Sequence, residues 1–137
     1  MNNRITHIYR ATSLQQGFIY HSVSQPEDDA YQIQVLFDYH DVLDIEKYLE
    51  AWRYCIAQYP ALRIGFNWEE EPVQIIYKEG VLNYEFYDIS DLPSQELRDM
   101  EIEKIRSLDR AQGFDLSQPS LFRLHIIKQA SDHYTIL

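Results

Sequence analysis

The sequence predicts a layered α/β domain in which helices pack on a mixed, largely antiparallel sheet. Three observations carry this expectation. Tyr31, Ile33, Val35, Phe37 and Tyr39 alternate with Gln32, Gln34, Leu36, Asp38 and His40, the period-two pattern of a strand. Two longer stretches, 44–59 and 94–113, repeat their apolar positions at helical spacing. Segments of the two kinds also follow one another along the chain, and the strands alternate instead of running uniformly apolar, which favours antiparallel pairing with one better-covered face.

Taken in order, Thr12 followed by Gln15 reads as a capping box opening a short helix through His21, weakened by Gly17. Ser24-Gln25-Pro26-Glu27-Asp28-Asp29 reads as a loop. The strand at 31–40 follows, and then Asp44 caps a helix to Tyr59. In that helix Ile45, Tyr48, Leu49, Trp52, Cys55, Ile56 and Tyr59 cover an arc of about 120° at 100° per residue, as expected of a helix lying on a sheet. Cys55 sits inside the arc and reads as a core thiol. Pro60 stops the helix. Ala61 to Trp68 and Pro72 to Tyr77 read as a hairpin joined by Glu69-Glu70-Glu71, and Leu82 to Tyr87 as a further short strand. A second long helix opens at Asp91 or Ser94 and stops at Gly113. Its expected buried face is Leu97, Met100, Ile105, Leu108 and Ala111, with Ile102 off the arc and the charges on a solvated face. Leu121 to Lys128 reads as a strand with Arg123 and His125 on its polar side, and His133 to Leu137 as the start of a hairpin return.

Composition narrows the function. The chain has 137 residues, 45% of them hydrophobic, which is material for the core of one domain or lobe. No apolar run approaches the roughly 20 residues needed to cross a bilayer, and the opening MNNRITHIYR has no apolar stretch typical of a secretory signal. Cys55 is the one cysteine and closes no internal disulfide, so a reducing, cytoplasmic location is expected. The formal charge is −10. Residues 1–60 carry four basic and eight acidic side chains, and residues 61–137 eight and fourteen, so acidity is spread along the chain. With no basic stripe to neutralise phosphate, neither nucleic acid nor an anionic membrane is expected as a partner.

A search for catalytic motifs leaves few candidates. His7, His21, His40, His125 and His133 are separated along the chain, with no H-E-x-x-H and no cysteine pair, so no metal site is expected. The four glycines, at 17, 65, 80 and 113, are too scattered for a phosphate loop. No serine lies in a G-x-S-x-G elbow. Arg63 stands out. It follows a helix stop, precedes the apolar Ile64-Gly65-Phe66, and needs a carboxylate partner if buried; the alternative is an exposed strand charge.

Thr12-Ser13-Leu14-Gln15-Gln16-Gly17-Phe18-Ile19-Tyr20-His21-Ser22 resembles the opening T-P-M-Q-x-G-M-L-F-H-S motif of nonribosomal peptide synthetase condensation domains. Tyr59-Pro60-Ala61-Leu62-Arg63-Ile64-Gly65-Phe66 resembles their second motif, R-H-x-x-L-R-T-x-F. Three further stretches agree in type and order: Pro72-Val73-Gln74, Tyr84 to Ser90, and Gly113-Phe114-Asp115-Leu116 with Pro119 to Arg123. The resemblance runs from Ile5 onward, and five stretches in register are specific together. The motif residues it marks are Thr12, Gln15, Gly17, His21, Leu62 and Phe66, with Arg63.

The resemblance implies a chloramphenicol acetyltransferase-like fold, of which this chain is an incomplete lobe. It implies a tunnel between two lobes where carrier proteins present donor and acceptor on phosphopantetheine arms, with no cofactor bound directly. The acceptor amine attacks the donor thioester and forms an amide. In such domains the H-H-x-x-x-D-G motif supplies the working histidine, and its aspartate pairs with the arginine that Arg63 matches. The chain departs from the pattern: Ser13 replaces a proline, Gln58-Tyr59 the Arg-His and Ile64 a threonine. It ends at Leu137 with no H-H-x-x-x-D-G, so residues 1–137 are expected to be the N-terminal segment of a condensation domain, truncated before that motif and inactive alone. Expected partners are carrier proteins and the remainder of the domain. Open strand edges also invite self-association. The alternatives are an epimerising, cyclising or acyltransferase relative, or a non-catalytic half-lobe that binds a partner.

Overall fold

β-Branched and aromatic residues dominate the segment before the first helix, and Ile5–Arg10 forms strand β1. The computed structural model describes residues 4–137; Met1–Asn3, the start of the stretch read as lacking a secretory signal, lie outside the described residues. The chain divides into two units. One comprises the chain up to Tyr31, Glu50–Leu82 and Phe114–Phe122; the other comprises Gln32–Leu49, Asn83–Gly113 and Arg123–Leu137. The division falls inside helix α2 (Ile45–Gln58).

In the first unit, helix α1 (Ser13–Ser24) opens on the capping box read from the sequence. The Gln15 amide donates to Thr12 Oγ1 (3.2 Å), and Gln15 Oε1 accepts from the Thr12 amide (2.8 Å). The expected hairpin is present as β3 (Ile64–Asn67) and β4 (Val73–Tyr77), antiparallel with Ile64 opposite Ile76 and Asn67 opposite Val73. β1 pairs with the other edge of β4, giving the antiparallel order β1-β4-β3. The strand expected from Ala61 begins only at Ile64, because Pro60–Arg63 forms a 3-10 turn. Proline at the first position has its φ preset for such a turn and lacks only an N–H that would be unpaired there. Ala11, Ile19 and Phe66 form the unit's buried cluster, with Ile64, Trp68, Leu116 and Leu121 packed against it.

The second unit holds a four-stranded sheet in the order β2-β7-β6-β5, from β2 (Phe37–Tyr39), β5 (Tyr84–Asp88), β6 (Leu124–Ala130) and β7 (His133–Ile136). β6 and β7 form an antiparallel hairpin, while β5 runs parallel to β6. A parallel pair needs a long crossover, and helix α3 (Gln95–Gln112), capped by Ser94, provides it. Ile89, Ile102, Ile105, Ile127 and Leu137 make the core, and Ile126 and Ile127 are fully buried. The mixed sheet with helices agrees with the expected fold class.

Several expectations are corrected. The long strand at 31–40 shrinks to Phe37–Tyr39, paired to Ile136, Thr135 and Tyr134. Extended towards Tyr31, this antiparallel ladder would need partners past Leu137, and none of the described residues forms them. Tyr31, Ile33 and Val35 are accordingly exposed. β6 begins at Leu124, not Leu121, and is buried on both faces, so His125 is not on a polar side but 6% exposed. α3 buries Ile102 and Ile105 while Leu97, Met100 and Leu108 stay exposed. Its inward stripe continues at helical spacing into Arg98, whose Nη2 donates to Leu92 O, and Asp109, which accepts from Arg123, and these charged residues disguise the stripe in the sequence. In α2, Leu49 and Ile56 are buried as expected, Cys55 is half-buried, and Tyr59 is exposed. Among the described residues no helix is long and apolar enough to cross a membrane.

Candidate functional site

The motif residues Thr12, Gln15, Gly17, His21, Leu62 and Phe66, with Arg63, all belong to the first unit. Thr12 and Gln15 fix the start of α1, which brings Ile19 onto Phe66 in the buried cluster. The two resembling motifs therefore share one core. Phe66 is tied further, its amide donating to Leu116 O at 2.8 Å, so the third stretch joins the same core. Gly65 permits this approach, since a Cβ there would lie 3.1 Å from the carbonyl oxygens of Ser117 and Gln118. It is more than an ordinary strand glycine. His21 Nε2 lies 3.2 Å from Asp28 Oδ2 without hydrogen-bond alignment, and its ring meets Tyr31 edge-on at 4.9 Å. Gly17 differs from the rest, because a Cβ there would meet nothing within 4 Å.

Arg63 closes the 3-10 turn and sits half-buried. Its Nη1 donates to Tyr77 O (2.7 Å) and Lys78 O (3.1 Å), at the end of β4. Its stem runs beneath Gly80, where a Cβ would lie 2.8 Å from Arg63 Cγ and overlap Ile56 Cγ2. Ser120 completes the clamp. Buried and held at φ 65, it donates to Leu62 O (3.2 Å) and accepts from the Val81 amide (2.8 Å). The left-handed backbone costs a serine roughly 1 kcal/mol or more, tolerated here because both hydrogen bonds hold it. Arg63 Nε is buried with no partner among the described residues. A buried, unpaired guanidinium donor is expensive, and a carboxylate is the acceptor that suits it best. The carboxylate expected of a buried Arg63 is not among its hydrogen-bond partners in the described residues; two carbonyls hold Nη1 instead.

A second polar centre, in the other unit, was not picked out by sequence. Asp109 on α3 accepts from Arg123 Nε (2.8 Å), from His125 Nε2 (2.9 Å) and, on Oδ2, from Gln34 Nε2 (2.9 Å). Arg123 also donates to Gly113 O and Asp109 O. Burial works to raise the Asp109 pKa, but the hydrogen bonds from Gln34, His125 and Arg123 outweigh it and hold the carboxyl below its ordinary value. With its Nε2–H given to Asp109, His125 turns Nδ1 towards Tyr87 Oη at 3.2 Å. Tyr87 donates to Glu85 Oε2 (2.6 Å); burial first, and that carboxylate second, push the phenol up to about 12, so it stays protonated. Among the described residues this Asp–His–Tyr chain is taken up in tying α3 to β6 and β5. The cue available in the sequence was the helical spacing of Asp109 from Ile102 and Ile105.

Comparison with known proteins decides what the first unit's motifs belong to. The family described as Condensation domain matches residues 5–137. The chain belongs to the condensation-domain family. It is 34% identical over 137 residues to N-(5-amino-5-carboxypentanoyl)-L-cysteinyl-D-valine synthase of Penicillium rubens, an alignment covering 99% of this chain and 4% of that protein. It is 28% identical over 135 residues to bacitracin synthase 3 of Bacillus licheniformis, covering 97% of this chain and 2% of that one. A four-domain nonribosomal peptide synthetase bound to AMP and glycine superimposes with a TM-score of 0.81 at 25% identity, covering 96% of this chain and 10% of that one. The starter condensation domain of rhizomide synthetase matches in fold, with a TM-score of 0.83 at 16% identity, over 96% of this chain and 32% of that one. This condensation-domain chain thus spans a small part of its relatives' length, and it contains no H-H-x-x-x-D-G.

Proposed function

We propose that residues 1–137 are the opening segment of a condensation domain's N-terminal lobe and that the complete domain forms peptide bonds. In that domain a donor acyl group and an acceptor amine arrive on phosphopantetheine arms of carrier proteins. The acceptor nitrogen attacks the donor thioester carbonyl; a C–N bond forms, the C–S bond breaks, the proton leaves nitrogen and the donor thiol departs. Holding the two together supplies most of the acceleration, and a histidine of the central motif positions or deprotonates the amine.

The observation that carries this reading is the family match over residues 5–137, with its two motifs packed on one core. Within it, Arg63 is the residue given a role. Its Nε lacks an acceptor among the described residues while Nη1 is held by two carbonyls, which suits a carboxylate contributed by the central motif. Arg63 is then a positioning residue, not a catalytic one. Without the central motif, the chain alone joins nothing.

The test is Arg63→Ala made twice, in the 137-residue chain and in a complete condensation domain that contains it. In the short chain the loss is that of two hydrogen bonds to carbonyls, about 1–2 kcal/mol. In the complete domain the stranded carboxylate raises the loss to about 3–5 kcal/mol, and peptide formation falls with it. Equal melting shifts in both contexts, with turnover unchanged, would remove Arg63 from the centre. Product from the short chain alone, mixed with loaded donor and acceptor carriers, would refute the larger reading.

A further inference from the structure

The ladder between β2 and β7 brings together side chains that the sequence keeps far apart. Asp38 lies opposite Thr135 and Tyr39 opposite Tyr134. Just beyond the end of this ladder His40 meets His133, their rings stacking at 4.4 Å between centroids. Asp38 lies on β2 and His40 just past its end, two residues on, so in extended backbone the two project from the same face. As a result a carboxylate oxygen of Asp38 and a ring nitrogen from each of His40 and His133 all lie within 4.8 Å of one another. We propose that Asp38, His40 and His133 form a binding site for a divalent transition metal of the zinc class.

Three features of the geometry support this. The first is the spacing. Two ligands bound about 2.1 Å from a tetrahedral ion are about 3.4 Å apart. His133 Nε2 and Asp38 Oδ1 already stand at 3.5 Å, and rotation of the exposed His40 side chain closes the remaining gap.

The second is the support behind the ligands. Thr135 Oγ1 donates to Asp38 Oδ1 (2.6 Å), Gln129 Nε2 donates to Thr135 Oγ1 (2.7 Å), and Gln95 Nε2 donates to Gln129 Oε1 (2.9 Å). Thr135 and Gln129 are 1% and 3% exposed, so a polar relay that starts at the exposed Gln95 of α3 and is buried through β6 and β7 orients the carboxylate. Outer partners of this sort hold ligands in place at metal centres.

The third is donor chemistry. Two imidazoles and one carboxylate suit zinc, cobalt or nickel, whereas magnesium and calcium prefer all-oxygen sets. Asp38 and His40 are exposed, so water completes the coordination and the ion exchanges with solution. Such an ion clips β2, a strand of 3 residues, to β7. Asp38 and Thr135 are 97 positions apart, and a cross-link that closes so long a segment stabilises the folded chain. The site is independent of the peptide-bond reading, and its test involves no catalysis.

The experiment is titration of the chain with zinc chloride, read by calorimetry and by the thermal midpoint, with magnesium chloride as the control. Cobalt substitution reports the ligand set through its visible absorption. One equivalent of zinc is expected to bind and to raise the midpoint as its concentration rises, with magnesium doing neither. His40→Ala, at an exposed position, leaves the metal-free midpoint unchanged and weakens zinc binding at least tenfold. Asp38→Asn weakens it similarly, and Thr135→Val, which removes only the support, weakens it by about ten- to a hundredfold. Wild-type chain that binds zinc no better than magnesium overturns the proposal. So does zinc binding of equal strength in His40→Ala, which would mean an adventitious site elsewhere.

Discussion

Arg63 and Arg123 are both half-buried arginines beside a strand, and they are partnered in opposite ways. Arg123 donates through all three of its nitrogens: to the carboxylate and carbonyl of Asp109 and to the carbonyl of Gly113. Arg63 gives Nη1 to two carbonyls and leaves Nε without a partner among the described residues. Around Asp109 every guanidinium nitrogen of Arg123 has a partner, whereas Arg63 Nε has none among the described residues; buried unpartnered atoms are not confined to the first unit, since Gln34 Oε1 and Arg98 Nε share that state. A buried donor left unpaired costs free energy, which makes Arg63 Nε a place to test for a partner.

The largest expected effect comes from breaking the centre around Asp109. Asp109→Ala removes the acceptor for Arg123, His125 and Gln34 together and is expected to destabilise the chain by about 3–5 kcal/mol in urea unfolding at neutral pH. The pH dependence sharpens it. The folded pKa of Asp109 is lowered, so its contribution is full above the ordinary aspartate value of about 4 and drains away as pH falls through the lower folded value. Wild type and Asp109→Ala should therefore converge in stability on acidification. A gap that stays constant down to about pH 2 would mean that Asp109 acts through packing and not through charge.

The clamp around Arg63 is the next to test. Gly80→Ala places a methyl against Ile56 Cγ2 and Arg63 Cγ, and overpacking of this kind costs about 1–3 kcal/mol. The Arg63 Nε–H resonance should move in a nitrogen-edited NMR spectrum while that of Arg123 stays in place. If both stay in place, the stem of Arg63 is not held by Gly80 and the contrast between the two arginines weakens.

The same pair explains how much was legible in the sequence. Arg63 could be singled out because it stands between a proline stop and an apolar strand, and local patterns of that sort survive folding: the Thr12 capping box, the Ser94 cap and the β3–β4 hairpin were all readable. Asp109 could not. It sits in a charged stretch of α3 whose period suggested a solvated face, and its partners Arg123, His125 and Gln34 are brought in by strand pairing across the chain. The apolar face of α3 was misassigned for the same reason, since Leu97, Met100 and Leu108 show the helical period yet remain in water. The strand at 31–36 failed differently. Its alternation is strong, but a strand is made by its ladder, and no partner for it occurs among the described residues. His40 and His133 looked isolated because only the β2–β7 register reveals that they meet.

The smallest effect concerns a motif residue that the packing leaves unexplained. Gly17 lies inside α1, and a Cβ there would meet nothing within 4 Å. Interior helix glycines are less favourable than alanine, so Gly17→Ala should stabilise the isolated chain by about 0.5–1 kcal/mol, a small upward shift of the thermal midpoint. Destabilisation instead would show that the helix is distorted at this point. Repeating the substitution in a complete condensation domain tests what the glycine is for. A gain there of the same size makes Gly17 a passive weakness of α1. A loss makes it a place where another segment comes close to the helix backbone. Gly17 would then be a second group in the first unit, beside the role proposed for Arg63, to test for a partner in the complete domain.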